Sequence, residues 1–328
     1  MSQEQVVRIA QPGGVEVMKL ESMALGAPGP GEVRIRQAFC GLNYIDIYHR
    51  SGVYPLPMPS GLGMEASGVV EAVGEGVSHL AEGDRVAYAS QPVGAYATAR
   101  VMPARCVVRL PESISLETGA AMMLKGLTVQ YLLRKTLPQG GLQPGDTVLF
   151  HAAAGGVGLI ACQWARHLGL TLIGTAGSDE KCELARQHGA AHVINYRREN
   201  FTERVKELTE GRGVKVVYDS VGADTWAGSI ACLSTFGLMV SFGNASGVVP
   251  PVSLSSLSAA SLYVTRPVLF AHLATRDGTQ AMADDLFQVV GSGAVRIPIG
   301  QRYAFAEVQQ AHRELEARTT TGSGLLVL

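Results

Sequence analysis

Little in this sequence points to an unusual partner. Its 27 lysine and arginine residues balance 28 aspartates and glutamates, a formal net charge of −1. No polyanion is needed as an obligate partner, and nucleic-acid binding finds no support. Aromatic residues make up only 6% of the chain, with no cluster of them among basic residues. The cysteines, Cys40, Cys106, Cys162, Cys182 and Cys232, include no C-x-x-C pair. That removes the usual zinc and redox spacings and fits a reducing cytoplasm. The amino-terminal Met1-Ser-Gln-Glu-Gln lacks the basic-then-apolar order of a signal peptide. Between Thr225 and Thr265 there is no charged residue, yet Gly237, Gly243, Asn244, Pro250, Pro251 and scattered serines keep every apolar run short. None reaches the roughly 20 residues that span a bilayer. The stretch is expected to be an interior strand followed by a protected loop.

What the chain does have is length, apolar content and glycine. At 328 residues, 47% hydrophobic and with 39 glycines, it suits two well-packed, turn-rich domains. One stretch organises it. Thr147 to Phe150 is a short β-branched and aromatic run opened by Gly145-Asp146, and Gly158 to Leu168 is apolar and closed by Gly169. Strand, glycine turn and helix follow one another. The turn holds Ala154, Gly155, Gly156 and Val157 ahead of Gly158. Such a turn lets a pyrophosphate reach the backbone, where free N–H groups and the helix dipole offset its charge. In the dinucleotide pattern G-x-G-x-x-G the first glycine falls on Ala153, so the spacing departs from the rule at one position.

Up to about Pro111 the pattern is short strands and turns: Val33 to Arg36, Ala66 to Val73, Arg85 to Tyr88, Gly94 to Val101 and Cys106 to Leu110. An all-β module of this kind predicts a partly open barrel. Ser115 caps a helix running to Leu124, and Leu127 to Leu133 begins a second. Beyond the glycine turn, strands at Leu170–Gly174, His192–Asn195, Val214–Tyr218 and Gly237–Phe242 alternate with helices at Ser178–Gly189, Phe201–Thr209 and Trp226–Leu233. This is the rhythm of βαβ crossovers and a parallel sheet. A sixth strand passes through Leu262 to Thr265. Helices around Asp284–Val290 and Ala306–Arg318 follow, the latter with Val308, Ala311 and Leu315 on one face. The terminal Leu325–Leu328 run needs a sheet to join, which predicts that the nucleotide domain is inserted between two parts of the other.

The residue that binds the adenosine ribose stands about 20 positions past the glycines. Here that place is Thr175-Ala-Gly-Ser178, without a carboxylate. An acid there would bind the two hydroxyls of NAD and repel a 2′-phosphate. Its absence, with Gly177, Ser178 and Lys181 in place and Tyr196 after the third strand, favours NADPH. Lys181 also reads as an ordinary solvated helix lysine.

Gly145, Asp146, Leu149, Ala153, Ala154, Gly155, Gly156, Gly158, Gln163 and Arg166 meet every position of one signature. With them the chain resembles the medium-chain dehydrogenases/reductases, and within these the zinc-free bacterial NADPH:quinone oxidoreductases related to ζ-crystallin. Asn43-Tyr-Ile-Asp46, Gly61-Leu-Gly-Met-Glu65, Lys125-Gly-Leu-Thr128, Asp219-Ser-Val-Gly222, Ser241-Phe-Gly-Asn244 and Tyr263-Val-Thr-Arg-Pro267 extend the resemblance over nearly the whole chain. It implies an α/β protein: a GroES-like, partly open β-barrel domain over 1–126 and 267–328, and a Rossmann, doubly wound parallel-sheet domain over 127–266. It also implies a homodimer paired through the sixth strands.

The zinc alcohol dehydrogenases of the same superfamily carry cysteine where Asn43 stands and histidine where Met64 stands, and neither replacement suits zinc. Without a Lewis acid, alcohol oxidation is disfavoured; a quinone accepts hydride readily and needs mainly to be held against the nicotinamide. The resemblance implies that Asn43, Tyr48 and Tyr54 line the substrate cleft, with Asn43 and Tyr48 also near the cofactor. Each tyrosine reads equally as a half-buried packing residue. Phe242 and Gly243, with Val264 and Arg266 nearby, would hold the nicotinamide end of NADPH through backbone groups, Thr128 would meet the cofactor near the nicotinamide or phosphate, Ser220 and Asn244 would also contact it, and Arg318 would bind phosphate. No residue stands out as a general acid. His151 and Glu65 read as buried and hydrogen-bonded; Glu16, Glu21 and the charges of the last helix read as solvated. Two other functions compete: an NADPH-dependent reductase of activated C=C bonds, served by the same fold and hydride geometry, and a nucleotide-binding protein with a crystallin-like or RNA-binding role, against which the near-neutral charge and the lack of aromatic-basic clusters count.

Overall fold

The computed structural model describes residues 2–137 and 140–328. The chain forms two compact units: Met1–Leu127 with Phe270–Gly291 and Ile297–Leu328, and Thr128–Leu269 with Ser292–Arg296.

The first unit opens with strands β1 (Ser2–Ile9), β2 (Lys19–Leu25) and β3 (Glu32–Leu42), followed by helix α1 (Tyr44–Ser51). Strands β4 (Ser60–Gly61), β5 (Glu65–Val73), β6 (Arg85–Ala89), β7 (Ala99–Pro103) and β8 (Val107–Arg109) lead to helix α2 (Leu116–Lys135). β3 is the spine, pairing antiparallel with β5 and with β7, while β5 pairs with β6 and β6 with β8. A separate three-stranded sheet runs β2-β1-β4 and meets the first where Val6 bridges Ala97. Alternate residues of β3, Val33 and Ile35 among them, are fully buried in a core shared with Val70, Val86 and Tyr88.

Two expectations fail in this region. The module is not all strand and turn: Asn43, Asp46 and Gly52 bound a two-turn helix, with the Asn43 backbone N–H donating to the Asp46 carboxylate at 2.9 Å and Gly52 closing the helix at φ +84°. The two helices expected from Ser115 to Leu133 are one 20-residue helix, begun as foreseen by the Ser115 hydroxyl accepting from the Thr118 N–H at 3.0 Å. It runs through Gly126, where a Cβ would lie 2.6 Å from Leu286. Glycine in a helix interior costs about 1 kcal/mol; here it admits a neighbouring side chain. Ala120 to Leu127 are buried all round, which is why no amphipathic period marks the helix.

The second unit follows the βαβ rhythm: β9 (Thr147–Phe150), α3 (Gly156–His167), β10 (Thr171–Ala176), α4 (Asp179–Gln187), β11 (His192–Asn195), α5 (Phe201–Leu208), β12 (Val214–Asp219), α6 (Trp226–Ala231), β13 (Leu233–Ser241) and β14 (Tyr263–Thr265). The strand order is β11-β10-β9-β12-β13-β14, all parallel. Order reverses between β9 and β12, the doubly wound arrangement that leaves a crevice at the carboxyl ends. Both faces are covered, so Val148, Leu149, Ile173, Val216 and Val217 are all buried with no alternation. The uncharged stretch before Thr265 is not a protected loop: Val248, Leu254 and Tyr263 are 69%, 81% and 56% exposed.

The chain returns to the first unit with α7 (Leu269–His272), α8 (Arg276–Gly291), β15 (Ile299–Ala304), α9 (Val308–Glu316) and β16 (Ser323–Val327). β16 lies antiparallel to β3 and parallel to β15, so the terminal apolar strand does join the sheet of the first module. Among the described residues no helix is long and apolar enough to cross a membrane.

Candidate functional site

In the second unit the residues expected to hold a nucleotide gather along the carboxyl edge of the parallel sheet. After β9 the chain turns through Ala152 at φ +56°, closed by the Gly155 N–H donating to the Ala152 carbonyl at 2.9 Å. Gly155 caps α3, so Gly156, Val157 and Gly158 present N–H groups that a helix start leaves without intrahelical partners. A Cβ on Gly158 would lie 2.5 Å from the carbonyl oxygens of Ala152 and Ala153, whereas Gly155 has an ordinary φ of −77° and its nearest obstacle at 3.3 Å. Gly158 is needed to build the turn; Gly155 keeps its outer surface bare. The missing first glycine also has a reason. A Cβ on Gly174 of β10 would lie 2.6 Å from the Ala153 methyl, so the space that Ala153 fills is left by Gly174 instead.

Next along the edge, Ser178 caps α4 by accepting from the Lys181 N–H at 3.3 Å. The Tyr196 hydroxyl, just past β11, comes close enough to Gly177 that a Cβ there would meet it at 2.5 Å. Lys181 is half-buried and Tyr196 exposed. The acids that follow Ser178 are engaged: Asp179 accepts from Asn195 and pairs with Arg198, both at 2.7 Å, and a hydrogen bond from Ser178 holds the exposed Glu180 carboxyl below its usual range. On the other side of the switch point, a Cβ on Gly243 would meet the Ser220 carbonyl at 2.5 Å, and the Ala245 N–H donates to that carbonyl at 3.2 Å. Asn244 closes this loop by accepting from Gly247. The Phe242 N–H donates to the Asp219 carbonyl at 2.8 Å, and its ring lies 5.8 Å from Phe150. The Arg266 guanidinium donates to the Ser241 hydroxyl at 2.9 Å. Val264 is exposed on β14, Ala154 buried beneath the turn, and Thr128 half-buried on α2.

His151 fixes these loops from below. It is 1% exposed, with Nδ1 2.9 Å from the Thr175 hydroxyl and Nε2 2.9 Å from the Ser229 hydroxyl. Ser229 spends its proton on Asp219 at 2.9 Å, which leaves Nε2 as the donor and Nδ1 as the acceptor. Burial lowers the histidine pKa, against the pull of Asp219. Asp219 in turn accepts from the Val221 and Gly222 N–H groups and from the Thr225 hydroxyl. The Ser-His-Asp composition is incidental to nucleophilic chemistry, because Ser229 is fully buried; the network ties β9, β10 and α6 to the Asp219 loop.

In the first unit Asn43, Tyr48 and Tyr54 come together on and beside α1. The rings of Tyr48 and Tyr54 are 5.0 Å apart and both are half-buried, while Asn43 is buried. Asn43 donates its side-chain N–H to Glu65 at 2.8 Å. Met64 is fully buried, as is Glu65, which is bonded rather than free. Arg318 follows α9, exposed, at φ +56°. Among the described residues no three His, Cys, Asp or Glu side chains stand close enough to hold a metal.

Sequence reasoning missed a second buried network here. Arg50 donates to His312 Nδ1 and to Glu316, at 3.2 and 2.5 Å; His312 Nε2 lies 3.2 Å from the Tyr96 hydroxyl, which donates to Asp46 at 2.8 Å. Burial pushes the Asp46 carboxyl up to about 7 and the His312 imidazole down to about 3, the latter with help from Arg50. The charges of the last helix are thus not all solvated. The Asn43-x-x-Asp46 spacing is a helix-start signature that could have revealed α1.

Comparison with known proteins identifies the family. Residues 29–112 match the family model of the alcohol dehydrogenase GroES-like domain, and residues 156–286 that of the zinc-binding dehydrogenases. A quinone oxidoreductase of Pseudomonas aeruginosa is 54% identical over 323 residues, 98% of either chain. A 2-haloacrylate reductase of Burkholderia is 41% identical over 97% of both. The crystal structure of Escherichia coli quinone oxidoreductase complexed with NADPH superposes with a TM-score of 0.96 at 48% identity, covering 99% of this chain and all of the other. The chain therefore belongs to the zinc-free bacterial quinone oxidoreductase family of the medium-chain dehydrogenases/reductases.

Proposed function

We propose that this chain is an NADPH-dependent quinone oxidoreductase that works without zinc. The observation that carries the reading is the sheet edge: the Ala154–Val157 turn, Gly177, Ser178, Lys181, Tyr196, Ser220, Phe242, Gly243 and Asn244 all follow the carboxyl ends of parallel strands, in a chain similar over its whole length to quinone oxidoreductases. These residues fit the nucleotide. The bare face of Gly155 and the open N–H groups of α3 suit a pyrophosphate, and Lys181 with Tyr196 suits a 2′-phosphate beside a strand end, 175–178, that carries no acid. Thr128, Val264 and Arg266 belong to the nicotinamide end of this reading, and Arg318 to a phosphate.

Bound NADPH supplies the hydride. Asn43, Tyr48 and Tyr54 hold the acceptor, the two rings offering apolar faces to a flat molecule, and water supplies the proton that completes the hydroquinone. Asn43 and Met64 are poor donors for zinc, and Asn43 is already bonded to Glu65. The protein accelerates the reaction by orientation and exclusion of water.

The exposed, uncharged edge of β14 supports a homodimer formed through the sixth strands, since an apolar edge strand left open is a site for pairing. The free, buried cysteines are consistent with a cytoplasmic setting.

A second reading, reduction of activated C=C bonds, is favoured by the 41% identity to a 2-haloacrylate reductase. Steady-state oxidation of NADPH with 1,4-benzoquinone, 1,2-naphthoquinone and a small alkenal separates the two. Quinones are expected to turn over faster; negligible quinone turnover beside fast alkenal turnover overturns the first reading.

A further inference from the structure

The carboxylate of Glu65 lies fully buried at the start of β5, and every group that reaches it is a donor. Oε1 accepts from Asn43 Nδ2 at 2.8 Å and from Lys125 Nζ at 2.9 Å; Oε2 accepts from the Leu124 N–H at 2.6 Å. Lys125 donates again, to the carbonyl of Leu42 at 3.0 Å. Leu42 immediately precedes Asn43, so the contacts close a ring: Leu42 carbonyl, Lys125 ammonium, Glu65 carboxylate, Asn43 carboxamide. The backbone is shaped to admit it. Gly41 stands opposite Glu65 in the β3–β5 register, and a side chain there would run into the carboxylate. Asn43 is 5% exposed and Lys125 7%.

A buried ion pair is a poor device for stability alone, because desolvation offsets much of the attraction and apolar replacements often do as well. This one has another consequence. A carboxylate offers no hydrogen, so only the NH2 end of the Asn43 carboxamide can face it. The orientation of the amide is therefore fixed, with Oδ1 and the second N–H directed away from Glu65. A neutral amide at position 65 could accept from one end of Asn43 or donate to the other, and the choice would be lost.

We propose that Glu65 and Lys125 are positioning residues for hydride transfer, fixing the Asn43 carboxamide in the one orientation that meets the acceptor oxygen. The inference rests on the reading of Asn43 as an acceptor-site residue. Glu65 holds the amide, and Lys125 donates to that carboxylate while anchoring the peptide that leads into Asn43. Neither touches the cofactor or the acceptor in this role.

A double-mutant cycle on the full chain tests it. Asn43→Ala and Glu65→Gln are each expected to lower kcat/KM for 1,4-benzoquinone by on the order of tenfold, mainly in kcat. NADPH affinity of Glu65→Gln, read by fluorescence titration, should move by less than about twofold. If Glu65 acts through Asn43, the double variant loses no more than Asn43→Ala alone; independent effects would multiply. Multiplied losses, or a Glu65→Gln enzyme as fast as the parent, overturn the proposal while leaving the Asn43 reading intact. An Asn43→Ala enzyme with unchanged quinone turnover overturns that reading and the proposal with it. Should Glu65→Gln fail to fold, Glu65→Gln with Lys125→Met removes both charges and is used in the same cycle.

Discussion

At the scale of the residue, the cofactor preference rests on one absence and one cation. With no acid at 175–178, Lys181→Ala is expected to weaken NADPH binding by on the order of tenfold while barely moving NADH; equal losses in paired titrations would contradict the assignment. The missing acid was legible because position after the glycine turn is enough to locate it. His312 was not legible: a lone histidine beside Ala311 carries no pattern, and its partners Arg50 and Tyr96 lie 262 and 216 positions away in the chain. Its effect is measurable all the same. Burial depresses the folded pKa to about 3, so between there and the ordinary histidine range the unfolded chain binds the extra proton. Stability therefore rises with pH across that window, by up to about 1.4 kcal/mol per pH unit from this group. Asp46, raised to about 7 by burial, opposes it: the folded chain holds that proton longer, so its share of stability falls as pH climbs from the ordinary carboxylate range towards 7. His312→Gln removes the rising contribution and leaves that of Asp46, so the slope of stability against pH should become less positive, as read by urea unfolding between pH 4 and 6.5. An unchanged slope would mean that the imidazole titrates alike in both states.

At the scale of the element, the glycine turn sorts its glycines by function. Gly158→Ala drives a methyl into two carbonyl oxygens and should cost about 1–3 kcal/mol of stability, together with cofactor binding. Gly155→Ala meets only one oxygen at 3.3 Å with φ already ordinary, so it should fold with nearly the parent's melting temperature and still bind NADPH poorly. Equal thermal losses in the two variants would refute this division. The parallel half was read from sequence to within a few residues, since strands buried on both faces and their caps recur at a regular interval. Helix α1 was hidden among strand signals, and its two turns are too short for a periodic face. From sequence one helix is expected to end at Leu124 and another to begin at Leu127, on either side of Gly126; the cause of that glycine within a single helix, Leu286 of α8, is distant in sequence.

At the scale of the whole molecule, insertion of the nucleotide unit within the chain was foreseeable from one fact, that the apolar Leu325–Leu328 terminus needs a sheet, and β16 does pair with β3. The exposure of Val248, Leu254 and Tyr263 was not foreseeable, because lack of charge looks the same in a core and on an open surface. Charging the middle of the β14 edge with Val264→Lys should convert the proposed dimer into a monomer, as measured by light scattering at micromolar concentration; a parent chain already monomeric there would contradict the proposed pairing. The acceptor is the point on which the whole account turns. A single-turnover experiment addresses it most directly: enzyme loaded with NADPH deuterated at C4, in separate samples for each face, is mixed rapidly with 1,2-naphthoquinone. Direct hydride transfer predicts rapid loss of NADPH absorbance with a slowed rate for one deuterated isomer only. No oxidation on mixing, or the same rate with both isomers as with unlabelled NADPH, would contradict it.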